Sequence, residues 1–380
     1  MHPTTIATLL TFTARAHATI VLPQGTGPYR STLSVAELID KSRLDPFNAS
    51  HVRRLMVSRF DPIPAKACNP IQVPYFPPTT AALENEILAA YDFPKIIEQF
   101  VLEVCEDKDH LNQEIGKRKF PIALYSPGLN TTRLFGSSIA QEIASHGFTV
   151  ITIDHPYDVD ITEFPNGDVI LGGHVKKPTA NSTASVDHAV EVRARDVSFI
   201  LDTLSIKKGK DQVVMFGQSF GGAATATSLL YDKRIRAGVN VDGTMFGHAL
   251  NSSLGALGYP QSFVLWGAPG HNTSSDPTWG QFWNTLKQSP YVDYKREFSK
   301  LNSTHGSYWD LAVLVDTANI RDNLSEIAKS LIGPDSGFRV STIMGRYLSA
   351  FFSYTLGLKG EDEVLKGPSN EFPEVVQLGR

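Results

Sequence analysis

Cysteine is almost missing from this 380-residue chain, which holds only Cys68 and Cys105. Two cysteines cannot build a multi-disulfide scaffold, and no Cys/His cluster has metal-ligand spacing, so no metal or other cofactor is expected. Charge is thin as well: 19% of residues are charged and the net charge is −4. The densest basic stretch, Lys207-Lys208-Gly209-Lys210, reads as a solvated loop. Nucleic acid is therefore not an expected partner, because phosphate backbones are held by clustered Lys and Arg. No apolar run reaches the roughly 20 residues that cross a bilayer as a helix. No strongly amphipathic basic helix stands out either, which leaves association with a lipid surface open. Internal repeats and low-complexity linkers are absent. What is present is 42% hydrophobic residues, the composition of a globular protein with a large core.

Residues 1–18 read as an atypical signal peptide. Thr5 to Ala14 is moderately apolar and Ala16-His17-Ala18 offers a small-x-small cleavage site, although no Lys or Arg precedes Arg15. Residues 19–380 then form a single domain. Seven of the 15 Asn residues open Asn-x-Ser/Thr acceptors: Asn48, Asn130, Asn181, Asn251, Asn272, Asn302 and Asn323. Secretion is the expectation, and with it a disulfide between Cys68 and Cys105, against the alternative of two buried thiols.

Val213-Val214-Met215-Phe216 runs directly into Gly217-Gln218-Ser219-Phe220-Gly221-Gly222. The apolar run predicts a strand buried on both faces, and the Ala- and Leu-rich stretch from Ala223 to Tyr231 predicts a helix. A Ser between such a strand and helix sits on a sharp, strained turn. Gly217 and Gly221 remove the Cβ atoms that would collide there. The pattern is a nucleophile elbow and points to a serine hydrolase.

Around it, strands and helices alternate. Phe120 to Tyr125 reads as a strand, Leu134 to Ser145 as a helix closed by His146-Gly147, and Thr149 to Ile153 as the next strand. Val190, Ala194, Val197, Leu201 and Leu204 mark a helical stripe. Further strands are expected at Ala237 to Val241 and Phe263 to Trp266, with a closing helix at Thr342 to Leu356. This order predicts an α/β-hydrolase fold, a mainly parallel central sheet with helices on both faces. Leu33 to Asp40 and Arg54 to Phe60 add antiparallel N-terminal strands. Surface excursions are expected at about 61–118, 156–182 and 268–300.

A Ser hydroxyl needs a His to take its proton and an acid to orient that His, in the chain order Ser, acid, His. Only His248, His271 and His305 follow Ser219. His305 lies in a small polar loop suited to a catalytic base, and His271 lies in another. Asp242 ends a predicted strand at the sheet's C-terminal edge, where ligands bind. Asp276, Asp293, Asp310 and Asp316 are rivals, Asp310 reading as a solvated helix residue. Oxyanion donors are expected at the backbone N–H groups of Phe220 and Leu129, since Pro127 has none. Phe246, Trp266, Trp279, Phe282 and Trp283 read as acyl-pocket lining or as core.

The Phe120-to-Asp158 block with Ser145-His146-Gly147-Phe148, the Gly-Gln-Ser-Phe-Gly-Gly elbow and Val241-Asp242-Gly243-Thr244-Met245-Phe246 together resemble the platelet-activating-factor acetylhydrolase family. The resemblance implies Ser219, Asp242 and His305 as a triad, with Leu129 and Phe220 as oxyanion donors. It also implies calcium-independent hydrolysis of short or oxidised acyl groups from a phospholipid or related ester. The sequence departs from the better-known members at Pro127, where they carry His. A lipase or polyester esterase on the same triad is the alternative within the class, and a catalytically silent binding protein is the alternative outside it. A glycan on Asn130 would crowd the oxyanion loop, so that acceptor is expected to stay unmodified.

Overall fold

Val214 and Phe216 pack into one hydrophobic cluster, Val213 and Met215 into another on the opposite side of the sheet, and all four are buried. This is the two-sided burial that the apolar run predicted, since alternate side chains of a strand face opposite ways. The computed structural model describes residues 19–106, 120–207, 209, 212–255 and 258–379. The proposed signal peptide at 1–18, residues 107–118 of the first excursion, and Lys208 and Lys210 lie outside the described residues.

In chain order the elements begin with β1 (Ile20–Val21), β2 (Tyr29–Leu44), β3 (Val52–Pro64), β4 (Pro70–Pro74), α1 (Pro78–Ala89) and β5 (Phe100–Cys105). Next come β6 (Ile122–Ser126), α2 (Ser137–Ser145), β7 (Thr149–Asp154), β8 (Ile161–Glu163), β9 (Val169–Leu171), α3 (Ala184–Thr203), β10 (Val213–Gln218) and α4 (Phe220–Tyr231). The remainder is β11 (Ile235–Val241), β12 (Gln261–Gly267), α5 (Pro277–Gln288), β13 (Val292–Lys300), α6 (Leu311–Thr317), α7 (Glu326–Ile332), α8 (Gly337–Thr355), α9 (Glu363–Lys366) and β14 (Val375–Gly379). Among the described residues no helix is long and apolar enough to cross a membrane.

The main sheet runs β1-β5-β2-β3-β7-β6-β10-β11-β12-β13-β14, with β4 paired to β5. From β7 to β13 every pairing is parallel. β2 and β3 pair antiparallel, and β3 joins β7 antiparallel, as expected for the N-terminal strands. Residues of α2, α6 and α8 fill the cluster on one face, and residues of α3, α4 and α5 the cluster on the other. The helical stripe holds: Val190, Ala194, Val197 and Leu201 are buried on α3.

Two expected excursions prove to be sheet. Within 61–118, β3 continues to Pro64, and β4 and β5 join the main sheet. Within 268–300, α5 leads into β13, which pairs in parallel with β12. β13 reads Val-Asp-Tyr-Lys-Arg-Glu-Phe-Ser-Lys and shows no apolar run, because its buried charges find partners far along the chain. Glu297 accepts from the Thr273 backbone N–H and hydroxyl, and Lys300 pairs with Asp335 at 2.5 Å. The stretch 156–182 does contain a hairpin, β8 with β9. Cys68 and Cys105 are disulfide-bonded, with Cα atoms 5.0 Å apart, tying the segment just before β4 to the end of β5.

Candidate active site

Ser219 has φ 56°, the left-handed region that a non-glycine residue adopts only under constraint. Its N–H donates to the Val241 carbonyl at 2.8 Å, pinning the turn between β10 and α4 to the end of β11. A Cβ on Gly221 would lie 1.9 Å from the Ser126 carbonyl oxygen, and one on Gly217 would lie 2.1 Å from that of Gly221. The glycines are therefore demanded by close backbone approach, as the elbow motif implied. Phe220 opens α4, so its N–H has no partner within the helix.

Asp242 follows β11, also with φ 59°, and its N–H donates to the Trp266 carbonyl of β12. Its carboxylate collects three donors. His305 Nδ1 donates to Oδ2 at 2.7 Å, while His271 Nδ1 and the Ala268 N–H donate to Oδ1 at 2.8 and 2.7 Å. Burial pushes the Asp242 carboxyl up, but the hydrogen bonds from His271, His305 and Ala268 outweigh it and hold it down at about 2. It is therefore ionised across the working pH range. With Nδ1 donating to Asp242, His305 carries its lone pair on Nε2, the tautomer a general base requires.

Ser219, Asp242, His271, His305, Leu129 and Phe220 line one cavity of about 630 Å³. Ser219 Oγ makes no hydrogen bond among the described residues; His305 Nε2 instead meets the Gln218 amide nitrogen at 3.3 Å. A contact between a nucleophile and its base commonly closes only when substrate is bound. The loop Pro127-Gly128-Leu129 stands against the elbow, where a Cβ on Gly128 would be 3.4 Å from the Ser219 Cβ.

Sequence reading missed what holds that loop. Arg193, fully buried on α3, donates to the carbonyls of Pro127 and Gly128 and to the Ser126 hydroxyl. Its other edge forms a two-point pair with Asp158, both contacts at 2.6 Å, and its guanidinium lies over the Phe220 ring. Ser126 also contacts His155, which contacts Asp196, a serine–histidine–aspartate series that is wholly buried and cannot meet a substrate. Nothing in the spacing of Arg193, Asp158 and Asp196 announces these contacts.

Of the rival acids, Asp276 contacts His271 and not His305, Asp293 is exposed, and Asp316 caps α8 by accepting from Ser336 and the Gly337 N–H. Asp310 is not solvated as expected. It is buried, accepts from the Tyr75 hydroxyl and the Ser138 and Ile139 N–H groups, and burial pushes its carboxyl up to about 7. It sits at the start of α2 because the 3-10 turn after His305 carries it inward, a placement that local sequence does not record. His248 is paired with Tyr231 and Glu191, away from Asp242. Of the five aromatics weighed for the acyl pocket, Phe246 lines the cavity, and Trp266, Trp279, Phe282 and Trp283 are core.

The chain is 38% identical over 371 residues, 95% of its length and 94% of the relative's, to an Arthroderma benhamiae protein named "Probable 1-alkyl-2-acetylglycerophosphocholine esterase". A family model described as platelet-activating factor acetylhydrolase, isoform II, matches residues 89–163 and 184–265. The chain belongs to the platelet-activating-factor acetylhydrolase family. The Bos taurus platelet-activating factor acetylhydrolase is 26% identical over 159 residues, covering 34% of this chain and 36% of that one. Among solved structures, a ferulic acid esterase from Streptomyces cinnamoneus superposes with a TM-score of 0.76 at 22% identity, covering 95% of this chain and all of that one. That likeness establishes the α/β-hydrolase fold. As a member of the acetylhydrolase family on this fold, the protein is a serine ester hydrolase.

Proposed function

We propose that Ser219, His305 and Asp242 form the catalytic triad, and that the substrate is a glycerophospholipid carrying a short acyl group, of the 1-alkyl-2-acetylglycerophosphocholine kind. The observation that carries the reading is the 2.7 Å contact of His305 Nδ1 with Asp242 in the cavity that Ser219 lines. In this mechanism the Ser219 Oγ attacks the ester carbonyl while His305 Nε2 takes its proton. The N–H groups of Leu129 and Phe220 receive the developing oxyanion. His305 returns the proton to the departing alcohol, leaving an acyl-enzyme, and a water activated by His305 releases the acid. The substrate class is supported by the full-length relative's name.

Secretion as a glycoprotein is part of the same proposal. It is supported by the disulfide and by the exposure of Asn48, Asn181, Asn251, Asn302 and Asn323 among the seven acceptors. Attachment to lipid surfaces is a further proposal that lipoprotein or vesicle co-sedimentation tests.

The deciding experiment is hydrolysis of para-nitrophenyl esters from acetyl to dodecanoyl, alongside 1-alkyl-2-acetylglycerophosphocholine, with Ser219→Ala as control. Activity greatest on acetyl to butyryl and lost in the variant supports the proposal. A maximum at long chains keeps the triad and makes the protein a lipase. Activity that survives in Ser219→Ala overturns the triad.

A further inference from the structure

Asp242 divides its carboxylate between two imidazoles, one on each oxygen. His305 holds Oδ2, and His271 holds Oδ1 together with the Ala268 N–H. The other nitrogen of His271 is also engaged, with Nε2 lying 3.0 Å from Asp276 Oδ2. An ionised carboxylate can only accept hydrogen bonds, so a ring held between two of them must carry a proton on both nitrogens. With Asp242 and Asp276 both held down at about 2 and therefore ionised, His271 between them is an imidazolium.

The surroundings fix that cation in place. Its ring lies against the Trp279 ring with centroids 4.2 Å apart, a favourable seat for positive charge. Asp276 is itself immobilised as the cap of α5, accepting from the Thr278 N–H and hydroxyl, both at 2.7 Å. The turn after Asp242 is tied to the same helix: the Met245 N–H donates to the Thr278 hydroxyl, and Trp279 Nε1 donates to the Gly243 carbonyl. The charged and titratable groups facing His271 are Asp242 and Asp276 in contact, His305 across the Asp242 carboxylate, and Glu297 of β13, which holds the neighbouring Thr273. Burial alone would lower the His271 imidazole, but its two carboxylates raise it to about 9.

We propose that His271 is a positioning residue for the triad, a cation that fixes the Asp242 carboxylate and cancels part of its charge at His305. The proposal rests on the triad assigned above. An uncompensated Asp242 would hold a proton on His305 more tightly, and a protonated His305 cannot take one from Ser219. A cation at His271 therefore lets the enzyme stay active to lower pH than a neutral side chain there would. With both nitrogens occupied, His271 cannot serve as the base.

The test is the pH profile of kcat/KM for para-nitrophenyl acetate in the wild type and in His271→Asn, His271→Gln and His271→Lys, with Ser219→Ala alongside. Asn and Gln remove the charge, and the midpoint of the acid limb is expected to move up by about one pH unit. Lys restores a cation, and its midpoint is expected to stay nearer the wild type. A merely structural role lowers the plateau in all three and moves no midpoint, which overturns the proposal. If one neutral variant fails to fold, the other carries the comparison. Residual activity in Ser219→Ala identifies failure of the triad itself, a separate result from an unmoved midpoint in an enzyme that depends on Ser219.

Discussion

Arg193 donates through Nη2 to the Gly128 carbonyl at 3.1 Å, so a side chain buried on α3 holds the loop that faces Ser219. The same guanidinium holds the Pro127 carbonyl and lies over Phe220, and thus touches both sources of the proposed oxyanion donors. Lys in its place would keep the charge beside Asp158 but, as a point donor, could not span a carboxylate and two carbonyls. Arg193→Lys is expected to lower kcat by about 10- to 100-fold with KM little changed, a loss confined to the transition state. It is also expected to weaken a trifluoromethyl ketone that forms a tetrahedral adduct. A rise in KM with kcat intact would show that Arg193 shapes substrate binding instead.

His271 gives the stability a pH dependence with a definite sign. Its folded-state value of about 9 lies above the usual imidazole value, so its stabilisation is complete below about 6.5 and is lost as pH rises through 9. Discounted for solvent screening of a partly exposed group, the loss is on the order of 2–3 kcal/mol, shared with the two carboxylates it contacts. Urea denaturation from pH 6 to 10 is expected to show a decline in the wild type that is flattened in His271→Asn. Parallel curves would show that the ion pair contributes nothing to folding.

The Cys68–Cys105 bond closes a separation of 37 residues at the edge of the sheet. In the chain-entropy account a crosslink of that span contributes about 4 kcal/mol by restricting the unfolded chain. The Cys68→Ser/Cys105→Ser variant is expected to unfold at correspondingly lower denaturant. Its kcat at 25 °C is expected to be nearly unchanged, because β4 and β5 lie apart in the strand order from β10 and β11, which carry Ser219 and Asp242.

Asn130 is exposed, with φ 52°, and directly follows Leu129 in the cavity wall. A glycan there would project beside the oxyanion loop. Glycopeptide mapping of secreted protein is expected to find Asn130 unoccupied while other acceptors carry sugar. High occupancy with full activity would count against Leu129 as a donor.

The elbow could be read from the chain because each of its requirements is local. A two-sided strand demands consecutive apolar residues, and backbone contacts near 2 Å demand glycine at Gly217 and Gly221, so both leave marks in sequence. The parallel core from β6 to β12 was readable for the same reason. β13 was not: its charges are satisfied by Thr273 and Asp335, partners that only the folded chain supplies, and a strand with few apolar residues looks like a loop. The chain could nominate Asp242 and His305 but could not separate them from Asp276, Asp310 and His271 by composition.

Tertiary structure separated these groups through contact. It buried Asp310 against Tyr75, 235 residues earlier in the chain. It placed His271 on the second oxygen of Asp242, and it set Arg193 behind the loop at Gly128. The sequence by itself determined which side chains could carry the chemistry, because periodicity and glycine placement are properties of neighbours. The fold alone decided which carboxylate met which imidazole, because hydrogen bonds and ion pairs depend on distance in space and not on distance along the chain.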